Sequence, residues 1–200
     1  MIDEAILLLK SELQSYILIK DASVNVTVNN IGLFETSKGD SLDNSIVISV
    51  VNIEEEATLK NRPAVRRPFA STAIYRNPPV CLNLFVLFTC NYSGTDYPFA
   101  LRRLSYVIKF LNGRSSFSSA SSVAGSGTLG MEEITDLRFT MEMVKLSFEQ
   151  VNHLWGSLGG RQIPFVVYKL CLVELTDNSM IREEPLIEEI DTILLNKTRN

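Results

Sequence analysis

Asn77-Pro-Pro-Val-Cys-Leu-Asn-Leu-Phe-Val-Leu-Phe-Thr-Cys90 is the stretch on which the fold turns. The two prolines cannot enter a sheet interior, so they announce a strand without joining it. Residues 80–90 are apolar except for Asn83 and Thr89. That run is about half the roughly 20 residues a bilayer crossing needs, so it reads as a strand of a soluble core.

Working outward, residues 46–53 are almost continuously apolar, which predicts a central strand buried on both faces. Residues 24–28 alternate Val24, Val26, Val28 against Asn25 and Thr27, the pattern of a half-exposed strand. Ahead of them, Ile2, Ile6, Leu9, Leu13 and Tyr16 form the stripe of an amphipathic helix, with Asp3 and Glu4 in its first turn. Leu7, Leu8 and Leu18 widen that stripe and predict a helix covered on more than one side. On the other flank, a helix is expected over about 96–112, with Leu101, Leu104, Ile108 and Leu111 inward and Gly113 ending it.

Residues 115–130, with seven serines and three glycines, read as a flexible surface loop. Leu137, Phe139, Met141 and Met143 then alternate with polar residues as a strand. Ser147 and Gln150 form a capping-box signature that opens a short helix, with Phe148, Val151, Leu154 and Trp155 expected inward and Gly156, Gly159 and Gly160 stopping it. Residues 163–175 are a long final strand. The order predicts a single α+β domain over 1–176, built on a mostly antiparallel sheet flanked by helices. Residues 177–200 are expected to be an acidic C-terminal tail with an amphipathic helix over about 185–195, Pro185 in its first turn.

Composition narrows the function. With 46% hydrophobic residues in 200, a self-sufficient core burying about 70% of the extended surface is expected. The net charge of −4 argues against nucleic-acid binding. The acidic start Met1-Ile-Asp-Glu-Ala lacks the basic residues of a signal peptide, so synthesis in the cytoplasm is expected. The tail helix carries the wrong charge for anionic lipid, so no membrane partner is expected. Cys81, Cys90 and Cys171 lie in apolar strand-like runs, contain no CxxC pair and read as reduced core thiols.

Catalytic patterns are decoys. The match to GxGxxG at 125–130 follows a serine tract and leads into a strand, whereas a dinucleotide site needs those glycines between a strand and a helix. The single histidine, His153, lacks a nucleophile elbow and a second imidazole, and is assigned a helix-end hydrogen bond. Glu54, Glu55 and Glu56 follow a strand and cannot converge on one cation, so they read as a solvated or interface-facing edge. No catalytic, metal or cofactor site is assigned, and an enzyme is the least favoured class.

Charge is segregated instead. Residues 57–95 hold five basic side chains (Lys60, Arg62, Arg66, Arg67 and Arg76) and no acid, on a proline-rich stretch read as a presented arm. Residues 174–191 hold seven acids against Arg182 alone. These could pair within one chain or head to tail between copies, the heterologous contact that closes rings.

Four stretches then occur in order: Asn52-Ile-Glu-Glu-Glu-Ala-Thr-Leu-Lys-Asn61, residues 77–88, Asn152-His-Leu-Trp-Gly-Ser-Leu-Gly-Gly160 and Pro164-Phe-Val-Val-Tyr-Lys169. Over roughly residues 2–175 the chain resembles the cap, or tail-terminator, proteins of extracellular contractile injection systems of the antifeeding-prophage type. The resemblance implies a tail-terminator-like fold and a structural task. It implies a homo-oligomeric, hexameric ring that ends the inner tube and contractile sheath opposite the baseplate, with sheath and tube proteins and a second cap paralogue as partners. By the same likeness residues 54–61 and 152–160 are expected in ring or tube contacts. The candidate interface is therefore Glu54, Glu55, Glu56, Lys60, Asn61, Arg62, Arg66, Arg67, Arg76, Asn152, His153, Trp155, Gly159 and Gly160. Residues 24–28 are expected to be a sheet edge that accepts a sheath strand. The alternative function is an oligomeric protein-binding module of another assembly.

Overall fold

The computed structural model describes residues 1–33, 42–56, 65–69, 72–76, 80–92, 94–119, 137–175 and 180–185; for 65–69, 72–76, 172–175 and 180–185 only the backbone is described. The chain begins with α1 (Ile2–Lys20), then β1 (Asn25–Val28), β2 (Ser45–Glu55), β3 (Val65–Phe69), β4 (Thr72–Arg76) and β5 (Val80–Asn91). There follow α2 (Tyr97–Gly113), β6 (Ser116–Ser118), β7 (Arg138–Met143), α3 (Phe148–Ser157), β8 (Phe165–Leu175) and β9 (Met180–Pro185). Short 3-10 turns at Ile31–Leu33 and Gly94–Asp96 complete the order.

Six strands make one sheet in the order β1-β2-β5-β8-β7-β6. Its ladders are antiparallel except β1–β2, which runs parallel from Asn25↔Ser45 to Val28↔Ile48. A parallel neighbour needs a crossover, and residues 29–44 supply it. The sheet is thus mostly antiparallel, as expected, and the parallel β1–β2 pair is the one feature the sequence pattern does not show, because it marks each strand but not its direction.

Alternation along the central strands feeds two cores. Ile46, Ile48, Val86, Phe88 and Tyr168 face α1 and α2, in a cluster with Leu9, Leu13, Ile17, Val107 and Phe110. Val47, Leu87 and Val167 face the other way, against Ile31, Leu42, Leu154, Leu158 and Ile163. An aromatic series ties the helices to the far edge of the sheet. Tyr16–Phe110, Phe110–Phe117 and Phe117–Phe139 lie at centroid distances of 5.2, 5.8 and 5.2 Å.

Several expectations need correcting. α1 is covered on one side only, since Leu7 and Leu18 are each 48% exposed while Ala5, Ile6, Leu9, Leu13 and Ile17 are buried. On α2 the buried residues are Ala100, Val107, Phe110 and Leu111, and Leu101 is exposed, because the aromatic series draws Phe110 inward. The serine-rich stretch does not begin as a loop. Its first residues form β6, which buries Phe117 against Phe139, and 120–136 lie outside the described residues. Pro185 closes β9 and does not open a helix; the remaining tail, 186–200, lies outside the described residues.

Candidate assembly surface

The predicted interface residues fall on three parts of the chain. The first is the end of β2. After Ser49 the strand changes from buried to exposed, with Glu54 and Glu55 in solvent. Glu56 lies just beyond and is tied down: its carboxylate accepts a 2.6 Å hydrogen bond from Asn83 Nδ2 and sits 3.7 Å from Lys169 Nζ. The three glutamates thus do not converge, as expected of consecutive residues on an extended chain.

The second part is the basic stretch. Lys60, Asn61 and Arg62 lie outside the described residues. Arg66 and Arg67 are on β3 and Arg76 ends β4, in a second, three-stranded sheet of order β3-β4-β9. Within the arm, β3 and β4 pair antiparallel, because their β-branched and aromatic residues outvote Pro68. The acidic segment joins it: Glu183 and Glu184 on β9 stand opposite Ile74 and Ala73 of β4. Opposite charge is brought into one sheet of one chain.

The third part is α3 and its exit. Ser147 accepts from the Gln150 N–H at 3.2 Å while Gln150 Oε1 accepts from the Ser147 N–H at 2.8 Å, the capping box read from the sequence. At the other end Gly160 N–H donates to Trp155 O at 2.6 Å, across Gly159 at φ 106°. This is a Schellman closure, and the positive φ requires glycine there. Trp155 is buried edge-on against Phe165 at 5.3 Å and shares a small surface hollow with Ile31, Gly32, Leu158, Gly159, Arg161 and Ile163. It packs the helix against β8.

Asn152 and His153 are exposed. His153 Nε2 stands 3.8 Å from Glu149 Oε1, one turn back on the helix surface, so the expected helix-end bond is replaced by an i,i+4 pair. Phe148, expected inward, is 92% exposed. It occupies the first helical position, whose direction is set by the cap and not by the apolar stripe.

Strand β1 also departs from expectation. It is an end strand of the main sheet, yet part of the backbone on its outer side is already bonded by a side chain. Gln14 Oε1 on α1 accepts the Val26 N–H at 2.7 Å, and Gln14 Nε2 donates to Val24 O at 3.1 Å. Among the described strands, β1 pairs with β2 only as far as Ile48. The sequence hid this because residues 46–53 read as uniformly buried.

A further polar site was not foreseen. Arg103 on α2 bonds Asp21 Oδ2 at 3.0 Å and lies 4.2 Å above the Tyr92 ring, joining α2 to the end of α1 and to β5. The Ser23 hydroxyl and N–H, and then Arg103, hold the Asp21 carboxyl below the usual carboxylate range. Burial pushes the Cys90 thiol up to about 12 and the Tyr92 hydroxyl to about 12, which suits neither to reaction near neutral pH. Among the described residues no group of three or more His, Cys, Asp or Glu could hold a metal ion, and no helix is long and apolar enough to cross a membrane.

The comparisons with known proteins follow this geometry. A sheath/tube terminator of an extracellular contractile injection system, PVC, in its extended state, superposes with a TM-score of 0.65 at 15% identity, over 99% of this chain and 64% of that one. The tube-terminating cap of the anti-feeding prophage superposes with a TM-score of 0.61 at 18% identity, over 97% of this chain and 61% of the cap. The chain thus spans less than two thirds of either terminator's length. At these identities the likeness establishes the fold, a tail-terminator fold with a mixed six-stranded sheet. Among curated proteins nothing matches. The model of the Pvc16 N-terminal domain family matches residues 5–189, and the chain belongs to that family.

Proposed function

We propose that this chain is a structural end-piece of a phage-tail-like contractile injection particle. It forms a ring over the last layer of the inner tube and sheath, opposite the baseplate, and stops both from growing. The observation that carries the reading is the shared fold: nearly the whole chain superposes on two proteins described as tube or sheath/tube terminators. The described surface agrees in kind, since it offers strand edges, segregated charge and exposed apolar residues. By this reading the partners are copies of the chain, the sheath and tube proteins, and a second cap paralogue where one exists. The protein is made in the cytoplasm and becomes part of the particle's far end.

Six copies is the number the ring reading assigns, and residues 1–176 are the part that caps. The test is to add purified protein to polymerising tube subunits and follow length by electron microscopy. Growth that halts, with density at one tip, is the expected result. Tubes that lengthen unchanged and bind nothing would refute the proposal.

A further inference from the structure

We propose that residues 186–194 of one copy of this chain dock on the outer face of α2 of a second copy. Arg102 and Lys109 receive the carboxylates of that segment, and Phe99 and Leu101 receive its apolar side chains. The inference rests on the ring reading above and names one contact that would close the ring.

The receiving face is built on an acid-free helix. Residues 97–113 contain Arg102, Arg103 and Lys109 and no acid, and Asp96 is the single acid in residues 57–113. Arg103 is engaged inside the chain, by Asp21 and the Tyr92 ring. Arg102 and Lys109 are exposed, seven residues apart on one side of α2. Among the described residues no carboxylate pairs with either. Arg102 lies 5.5 Å over the Phe99 ring.

The same helix leaves apolar surface in solvent. It buries Ala100, Val107, Phe110 and Leu111, yet Tyr97, Phe99 and Leu101 are 50%, 43% and 46% exposed. Exposed apolar residues gathered beside charge mark a contact surface. An open hollow of about 480 Å³ lies at this end of α2, lined by Asp21, Tyr92, Asp96, Phe99, Arg102 and Arg103 among others.

Charge chooses the occupant. β9 sets Glu183 and Glu184 opposite β4. Beyond it, Glu188, Glu189 and Asp191 interleave with Leu186, Ile187, Ile190 and Leu194, an acidic segment with an apolar stripe at helical spacing. Such a segment needs a surface that is both apolar and basic, and the outer face of α2 is both. The lengths match as well. Arg102 and Lys109 are about 10 Å apart along the helix axis, and residues 186–194 in a helix span about 12 Å.

Reach makes the contact one between copies. β9 ends at Pro185 opposite Thr72, the end of β4 farther from β5. α2 starts beyond the other end of β5, where Arg103 meets Tyr92. β5 is twelve residues, about 36 Å, and β4 folded back along it would recover only about 13 Å. Glu188 is three residues past Pro185, a reach of about 10 Å. The segment therefore falls short of the start of its own α2. Between copies, each donates a tail and receives one, and repetition of such a contact closes a ring.

The test is the mass of the full chain in solution at low salt, alone and on tube polymer, with Tm as the check on folding. Arg102→Glu with Lys109→Glu, and Glu188→Lys with Glu189→Lys, should each keep the parent's Tm and weaken association roughly tenfold. An equal mixture of the two should regain it, since every neighbour then presents the opposite sign. A chain with all four changes exchanges two cations for acids and two acids for cations, keeps the net charge of −4 and should associate as the parent does. Excess synthetic peptide of residues 183–195 should return the parent toward monomer. Unchanged association in both reversed pairs, a lowered Tm with association intact, or no effect of the peptide would overturn this contact and leave the cap reading standing. So would failure of either the mixture or the fourfold variant to recover. A parent chain that stays monomeric even on tube polymer would overturn both.

Discussion

Gln14 and Asp21 show how single residues set what the molecule offers its surroundings. The Gln14 carboxamide accepts the Val26 N–H of the first strand and donates to Val24 O just before it, so Gln14→Met, close in volume, should strand a partly buried Val26 N–H. The expected loss is about 1–3 kcal/mol in chemical denaturation. Asp21 makes a pH-dependent contribution. Its carboxyl is held below the usual range by Ser23 and Arg103, so its stabilising effect is present above the unfolded value of about 3.9 and fades as pH falls through the folded one. The stability gap between parent and Asp21→Asn should therefore be constant from about pH 7 to 5 and close below about pH 4. Exposed Phe148 is the contrast: Phe148→Ser should shift stability by less than about 0.5 kcal/mol.

At the scale of elements, connections matter more than propensities. Ser49 is buried in β2 and holds both the Asn29 carbonyl and the Ile31 N–H, which steers the chain away from the sheet. Ser49→Val should cost about 1–3 kcal/mol and loosen the crossover, seen as faster amide exchange at Ile31. The third helix depends on its cap, and Ser147→Ala should cost about 1 kcal/mol in thermal unfolding. The sequence made this helix legible because a capping box is local, four residues that bond to one another. It made the central strands legible because a sheet covered on both faces needs unbroken apolar runs. Strand direction, the end of the β1–β2 ladder and the pairing of β4 with β9 depend on contacts distant along the chain, and no local pattern encodes them. The outward Phe148 and the rotated inner face of α2 were misread for the same reason, since a stripe has width and only the packed partner selects its centre.

For the whole molecule, the main sheet carries apolar clusters on both faces and the second sheet brings basic and acidic strands together. Charge segregation was visible in the sequence, but its meaning was not, because both an internal and an intermolecular pairing fit it. The structure supplies the internal one, through the pairing of β9 with β4. The central claim is that the chain ends a tubular polymer. The most direct measurement is the length distribution of particles imaged from cells lacking this protein. The account predicts overlong or open-ended tubes, cured by restoring the gene; particles of normal length with closed far ends would contradict it.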